Sequence, residues 1–238
     1  MCTITFIPQS NNNFILTSNR DEAPARETFP PKMYEENGVK LLYPKDAVAG
    51  GTWIGISGKM RIICLMNGGF VAHERKQSYG KSRGVVAKEF LAANNLKIEI
   101  EKYDFKQIEP FTAVFIEWKD TVLLLELVWD GSNFHFNEKP LTPTIWSSSP
   151  LYPVTLKNKR VTWFSDFIMK TEVLSKEKIL HFHKTGGEGD LSSNLIMDRG
   201  FIKTKSITQI SKQNEIIEMR YEDLQTEEIS YSVFNSQT

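Results

Sequence analysis

Cysteine is almost absent from this 238-residue chain; only Cys2 and Cys64 occur. Two thiols exclude a disulfide framework and a thiolate metal cluster. Neither charge is in excess, because 29 Lys and Arg balance 29 Asp and Glu. With no basic surplus to neutralise phosphates, a nucleic-acid partner is not expected. No apolar run approaches the ~20 residues of a membrane span, so stable membrane insertion is not expected either. The N-terminus lacks the charged head and long apolar core of a signal peptide. The expected compartment is the reducing cytoplasm, which would keep Cys2 reduced. Gly186-Gly187-Glu188-Gly189-Asp190 lacks the spacing and the preceding strand of a dinucleotide loop. His181 and His183 stand two apart, on different sides of a helix, so no metal site is expected. No cofactor is implied, and no repeat or low-complexity tract stands out. What is present is a balanced mixture, 40% hydrophobic and 24% charged, which suits one folded domain over residues 1–238.

The chain is organised around its first twenty-two residues. Thr3 to Ile7 alternates and is rich in β-branched residues, and Phe14 to Thr17 reads the same way. Between them Pro8 to Asn13 is a run of turn formers, so a hairpin is expected. A turn centred near Ser10 would set Cys2 opposite Ser18 or Asn19 and crowd the thiol with Asn19, Arg20 and Asp21. A slip of one residue would change which of them faces it. A cysteine at position 2 has a chemical use. If the initiator methionine is removed, the α-amine and thiol belong to one residue. An α-amine with a pKa of about 7.7 to 8.0 is partly neutral near pH 7 and can act as base for its own side chain. Arg20 nearby would favour the thiolate, and Asp21 would orient the amine or Arg20. The plainer alternative is a chance cysteine beside a turn with a surface salt bridge.

Asn19-Arg20-Asp21-Glu22 resembles the signature of the NRDE family, the group of transport and Golgi organisation protein 2. The resemblance also takes in Met1-Cys2, Gly50-Gly51-Thr52-Trp53-Ile54-Gly55, Asn67, Ser82-Arg83-Gly84 and Thr204-Lys205-Ser206. That family is similar to the N-terminal nucleophile hydrolases of the penicillin V acylase and bile salt hydrolase group. The resemblance implies an α+β fold, a four-layer α-β-β-α sandwich of two antiparallel sheets. It implies Cys2 as nucleophile, with Arg20, Asp21 and Lys205 positioning it or an anionic substrate. Asn67 and Ser148 would steady the oxyanion. Ser148 stands where the amidases carry an Asn, and its hydroxyl is a shorter, weaker donor. Lys205 stands where relatives carry an Arg and keeps the charge without the bidentate fork.

The remaining residues fill in the architecture. Residues 23–48, punctuated by four prolines, read as a long connection of little regular structure, either a pocket wall or a surface excursion. Thr52 to Ser57 and Arg61 to Met66 form a hairpin across Gly58-Lys59, with Trp53 lining a site or the core. Asn67-Gly68-Gly69 ends it, as an oxyanion donor or simply a turn. Ser82 caps a helix through Val85, Val86, Phe90 and Leu91 that stops near Asn94-Asn95. Glu99 to Gln107 reads as a solvated charged face. Thr112 to Trp118 and Thr121 to Trp129 form a hairpin, extended by Phe134 and Phe136. The run Leu123-Leu124-Leu125 suggests a strand buried on both faces. Leu156 to Met169 and Lys176 to His183 are expected helices, with Val161, Phe164, Phe167 and Ile168 on one apolar face. Ser206 to Ile210 and Asn214 to Arg220 pair across Lys212-Gln213, and Ile229 to Phe234 is a last strand.

Three functions fit. One is a hydrolase cleaving an acyl-amide bond of a small-molecule substrate. The second is a carrier for a hydrophobic anionic ligand, such as the haem or acyl-CoA that the resemblance suggests. In the third, structural, reading the polar run only braces the first hairpin. Oligomeric state is not legible.

Overall fold

The computed structural model describes residues 2–235. In chain order the elements are β1 (Cys2–Pro8), β2 (Phe14–Glu22), β3 (Thr28–Glu36), β4 (Val39–Asp46), β5 (Ile54–Ser57), β6 (Arg61–Asn67), α1 (Arg83–Ala92), α2 (Leu96–Lys102), β7 (Phe111–Trp118), β8 (Val122–Trp129), β9 (Phe134–Lys139), β10 (Thr144–Ser147), α3 (Val154–Lys170), α4 (Lys176–Thr185), β11 (Lys203–Gln213), β12 (Ile216–Asp223) and β13 (Ile229–Phe234). Two antiparallel sheets with few helices make an α+β fold. One sheet runs β10-β1-β2-β11-β12-β13, the other β3-β4-β5-β6-β7-β8-β9. The chain divides into two compact units, residues up to Arg26 with Leu141–Asn235, and Glu27–Pro140.

In the first unit the opening turn sets the register. Gln9 N–H donates to the Asn13 carbonyl at 2.8 Å, and Asn11 and Asn12 both take positive φ, 58° and 57°. Asparagine tolerates this left-handed region because its short polar side chain bonds locally. The turn therefore centres on Asn11 rather than Ser10, and Cys2 pairs with Arg20, not with Ser18 or Asn19. β10 adds to the other side of β1, pairing Thr3 with Ser147. Helices α3 and α4 cover one face of this sheet. Ile7 and Ile15 pack there against Phe164, Ile179, Phe182 and Leu195. Val161 is exposed and takes no part in that face, whereas Phe167 and Ile168 pack on its margin. The hairpin β11–β12 turns at Asn214-Glu215, two residues beyond Lys212-Gln213, because Asn214 supplies the positive φ of 55°.

The second unit corrects the reading of residues 23–48. They hold the hairpin β3–β4, turned by Asn37 (φ 52°) and Gly38 (φ 74°), the left-handed pair that a two-residue hairpin turn requires. Pro30 and Pro31 fall in an irregularity of the ladder, on the edge strand, where a missing N–H costs little. The supposed solvated stretch, Glu99 to Gln107, takes in the second half of α2. Asn95 caps it by accepting from Ile98 N–H at 3.1 Å, and Leu96 and Ile100 bury one side. Leu123 is exposed, but Leu124 and Val128 on one face of β8 and Leu127 and Trp129 on the other are all buried, so the strand is covered on both faces along most of its length, as expected. The core gathers Phe90, Phe105, Phe111, Phe115 and Trp129 beneath α1. Arg61, fully buried, donates to the Phe90 and Ala93 carbonyls at 2.6 and 2.8 Å and so closes the C-terminal end of α1.

Two stretches singled out in the sequence meet here. A Cβ on Gly51 would lie 2.3 Å from the Gly84 carbonyl carbon, and Thr52 N–H donates to Gly84 O at 3.1 Å. Gly-Gly-Thr-Trp and Ser-Arg-Gly thus meet through a backbone contact that admits no side chain.

Candidate functional site

The period of two along β2 sends the Asn-Arg-Asp-Glu run to both sides of its sheet. Asn19 and Asp21 lie on the face covered by α3 and α4. Their side chains are fully buried; Asn19 is held by α4 and the loop after it, Asp21 by Tyr152 before α3 and Thr204 of β11. The Asn19 amide nitrogen donates to the His183 and Leu195 carbonyls at 3.0 and 2.8 Å. Its oxygen therefore accepts from His183 Nδ1, at 2.7 Å. That assignment leaves His183 Nε2 as an acceptor for the Thr5 hydroxyl, also at 2.7 Å. The imidazole is neutral. Burial, and then the nearby Arg160, push its pKa down to about 3.

Asp21 is the centre of a second cluster. Its carboxylate accepts from the Tyr152 hydroxyl and from Thr204 Oγ1, the latter at 2.7 Å. Burial raises the Asp21 pKa, while Tyr152, Thr204 and Arg160 pull against it. The Arg160 guanidinium lies 3.7 Å from the Tyr152 ring centroid and donates to Thr3 Oγ1 and to the Ser193 and Asn194 carbonyls. Arg160 and His183 were not anticipated. A signal existed, because Arg160 lies four residues from both Leu156 and Phe164, on the buried stripe of α3. His183 likewise follows Ile179 by four on α4.

Arg20 belongs to the other face. Position 2 is its backbone partner on one side and Ser206 on the other. Arg20 is buried, and its guanidinium lies 3.7 Å from the Glu22 carboxylate. Burial pushes the Glu22 pKa up, but the Ala23 N–H, Arg20 and Arg26 bring it below the ordinary carboxylate value. Ser18 and Thr208, partners across β2 and β11, share this face, and their buried hydroxyls find no hydrogen-bond partner among the described residues. Buried polar groups without a partner are uncommon and call for an explanation. The Cys2 side chain lies outside the described part of the molecule, as does Met1, so the expected nucleophile is placed here by its backbone alone.

Lys205 sits at a bulge in β11, between Thr204 and Ser206. Its ammonium donates to the Pro24 and Arg26 carbonyls at 2.9 and 2.7 Å and fastens the chain leaving β2. Burial pushes its pKa down. Ser148 follows β10 directly, is buried, and accepts from Tyr152 N–H through its own carbonyl. In the second unit Asn67 ends β6 opposite Phe111, and the following Gly68 takes φ 83°. Trp53 is buried just before β5, its carbonyl accepting from Leu65 N–H at 2.7 Å. The first unit thus holds Asn19, Arg20, Asp21, Lys205 and Ser148, with Arg20 on the face opposite Asn19 and Asp21, while Asn67 and Trp53 belong to the second unit. Among the described residues no group of His, Cys, Asp and Glu side chains forms a metal site. No helix there is long and apolar enough to cross a membrane.

This architecture is that of the N-terminal nucleophile hydrolases. Conjugated bile acid hydrolase from Clostridium perfringens superposes with a TM-score of 0.64 at 8% identity, over 100% of this chain and 94% of that one. An N-acylethanolamine-hydrolysing acid amidase ortholog from Caenorhabditis elegans gives 0.58 at 11% identity, over 88% and 92%. Penicillin V acylase from Agrobacterium tumefaciens gives 0.56 at 9% identity, over 97% and 85%. Comparison with curated protein sequences gives no match. Residues 1–129, more than half of the chain, match the family model described as Transport and Golgi organisation 2, and the chain belongs to that family.

Proposed function

We propose that the protein is an N-terminal cysteine hydrolase that cleaves an acyl-amide bond in a small molecule once Met1 has been removed. The observation that carries this reading is the register of the first hairpin, in which position 2 is the direct partner of the buried Arg20. An arginine beside a thiol favours the thiolate. The buried hydroxyls of Ser18 and Thr208, without a hydrogen-bond partner among the described residues, lie on the same face. The fold adds support, since the related amide hydrolases share it.

In this scheme the Cys2 sulfur attacks the amide carbonyl carbon, and its proton passes to the Cys2 α-amine. The tetrahedral oxyanion is steadied by Ser148; the role of Asn67 rests on the family resemblance alone. Collapse breaks the C–N bond, and the proton goes from the α-amine to the departing nitrogen. Water then attacks the thioester, releasing a carboxylic acid and restoring the thiol. Arg20 acts on the nucleophile. Asp21 and Lys205 act at one remove, the first through Tyr152 and Thr204, the second by fixing residues 24–26.

A second reading is favoured by one observation: the polar groups of Asn19, Asp21 and Lys205 are engaged by the protein itself. A carrier for a hydrophobic anionic ligand needs the fold and the Arg20 face but not the thiol. Intact-mass measurement separates the two. Untagged protein should lack Met1 and gain a stable acyl mass on incubation with N-acyl amides, and Cys2→Ala should gain none while melting as the wild type does. Ligand binding that survives Cys2→Ala, with no acyl adduct in the wild type, would replace the hydrolase by the carrier.

A further inference from the structure

The two sheets end in four outer strands, and three are protected against pairing. β10 is only four residues long. β3 carries Pro30, Pro31, Lys32, Glu35 and Glu36. β9 carries His135, Glu138 and Lys139. Prolines, charges and shortness are the usual devices that stop an edge from pairing with another chain. β13, Ile-Ser-Tyr-Ser-Val-Phe, has none of them. It is the outermost strand of its sheet, and its six residues include neither charge nor proline.

Its side chains divide unevenly. Phe234 is buried, whereas Ile229, Tyr231 and Val233 are 48, 63 and 54% exposed. These three lie on the face that carries Glu222, Arg220 and Glu218 of β12, their cross-strand partners. Over β12 the α4 lysines close down on that face, Lys184 on Glu222 at 2.6 Å and Lys176 on Glu218 at 3.0 Å. Arg220 pairs with Glu222 at 2.7 Å and stands 6.0 Å from the Tyr231 ring. The charges beside the strand are thus paired among themselves, although Arg220 Nη1 is buried without a hydrogen-bond partner among the described residues. What remains open is a neutral apolar row beside an open ladder.

We propose that β13 is a dimerisation edge and that its occupant is the β13 of a second copy, antiparallel, about a two-fold axis at Tyr231. A two-fold interface requires one patch to complement itself. In this register Ile229 meets Val233 of the partner, Tyr231 meets Tyr231, and Ser230 meets Ser232. Every pair from Ile229 to Val233 is apolar with apolar or hydroxyl with hydroxyl, Phe234 falls opposite Glu228 just outside the strand, and no like charges oppose. The neutral row offers no charge to select a basic or acidic peptide. A six-residue pairing is small against the ~1,200 Å² of a stable interface, so the dimer is concentration-dependent.

Sedimentation velocity on the full chain over a wide concentration range tests this. The wild type should pass from monomer to dimer, and Tyr231→Lys, which sets two ammonium groups face to face at the axis, should stay monomeric with an unchanged melting temperature. Tyr231→Cys in a Cys2→Ser background should form a disulfide-linked dimer on mild oxidation, whereas Val71→Cys, on the exposed surface of the other unit, should not. A wild type that stays monomeric throughout would overturn the proposal. So would a dimer that survives Tyr231→Lys without cross-linking at position 231. None of these readouts depends on the thiol chemistry proposed above.

Discussion

Asn19→Ala removes a heavily bonded member of the Asn-Arg-Asp-Glu run. In the wild type its side chain satisfies three buried groups: the carbonyls of His183 and Leu195, and the Nδ1–H of His183. Each buried polar group left without a partner costs about 1–3 kcal/mol. The Leu195 carbonyl keeps the Thr204 hydroxyl at 3.3 Å, and the three groups share one small space and relax together, so the expected loss is on the order of 3–5 kcal/mol, not the full sum. Domains hold only ~5–15 kcal/mol in all, and at this chain length each kcal/mol shifts the midpoint by about 2–4 °C. Asn19→Ala should therefore melt roughly 6–20 °C lower, as followed by far-UV circular dichroism. The double variant Asn19→Ala/His183→Leu should be less damaged than the sum of the single variants, because each removes the other's partner, and a coupling of at least ~1 kcal/mol is expected for such a contact. A loss below about 1 kcal/mol, or strict additivity, would refute the bracing role. If Asn19 instead held a ligand, its removal would weaken binding and leave the melt unchanged.

Two further perturbations follow from the same clusters. His183 is neutral in the folded protein with a pKa near 3, against 6.5 when exposed, so between those values the unfolded chain binds the extra proton. The stability margin of the wild type over His183→Leu should be fully present above pH 6.5 and shrink by up to ~1.4 kcal/mol per unit as pH falls toward 4; urea titrations at several pH values would show it, and a margin independent of pH would sink the assignment. Lys205→Met strands the carbonyls of Pro24 and Arg26, so hydrogen exchange should rise in the 23–27 segment before any global change, and unaltered protection there would mean that the lysine is not the fastener.

Much of this architecture is legible in the sequence where a pattern has a period, and less where the decisive residue is a single one. Alternation located β1, β2, β7 and β8, and the stop at Asn94-Asn95 located the end of α1. The register of the first hairpin turned on whether Asn11 and Asn12 take positive φ, which composition does not state. The Asn37-Gly38 turn was readable, but four prolines nearby outweighed it, and the ladder accommodates two of them by a local irregularity on its edge strand. α2 was hidden because a seven-residue helix with Leu96 and Ile100 inside shows too little apolar surface to register.

The same distinction governs the candidate site. That Arg20 stands by position 2 follows from a hairpin and a family resemblance together. That Asn19 and Asp21 face the other way follows only from the register, because a shift of one residue would exchange the two faces. Once the register is known, the four-residue run divides into two roles. Arg20 and Glu22 form an ion pair on the face toward which the chemistry is proposed. Asn19 ties the strand to α4 through His183, and Asp21 ties it to Tyr152, just before α3, and to Thr204 of β11. Gly51 and Gly84 carry the division further, since both lie in motifs of the resemblance and their contact is one of backbone on backbone. A short signature of this kind marks a way of folding. A relative that kept Asn19, Asp21, Gly51 and Gly84 but lost Cys2 would be expected to fold alike and to bind without cleaving.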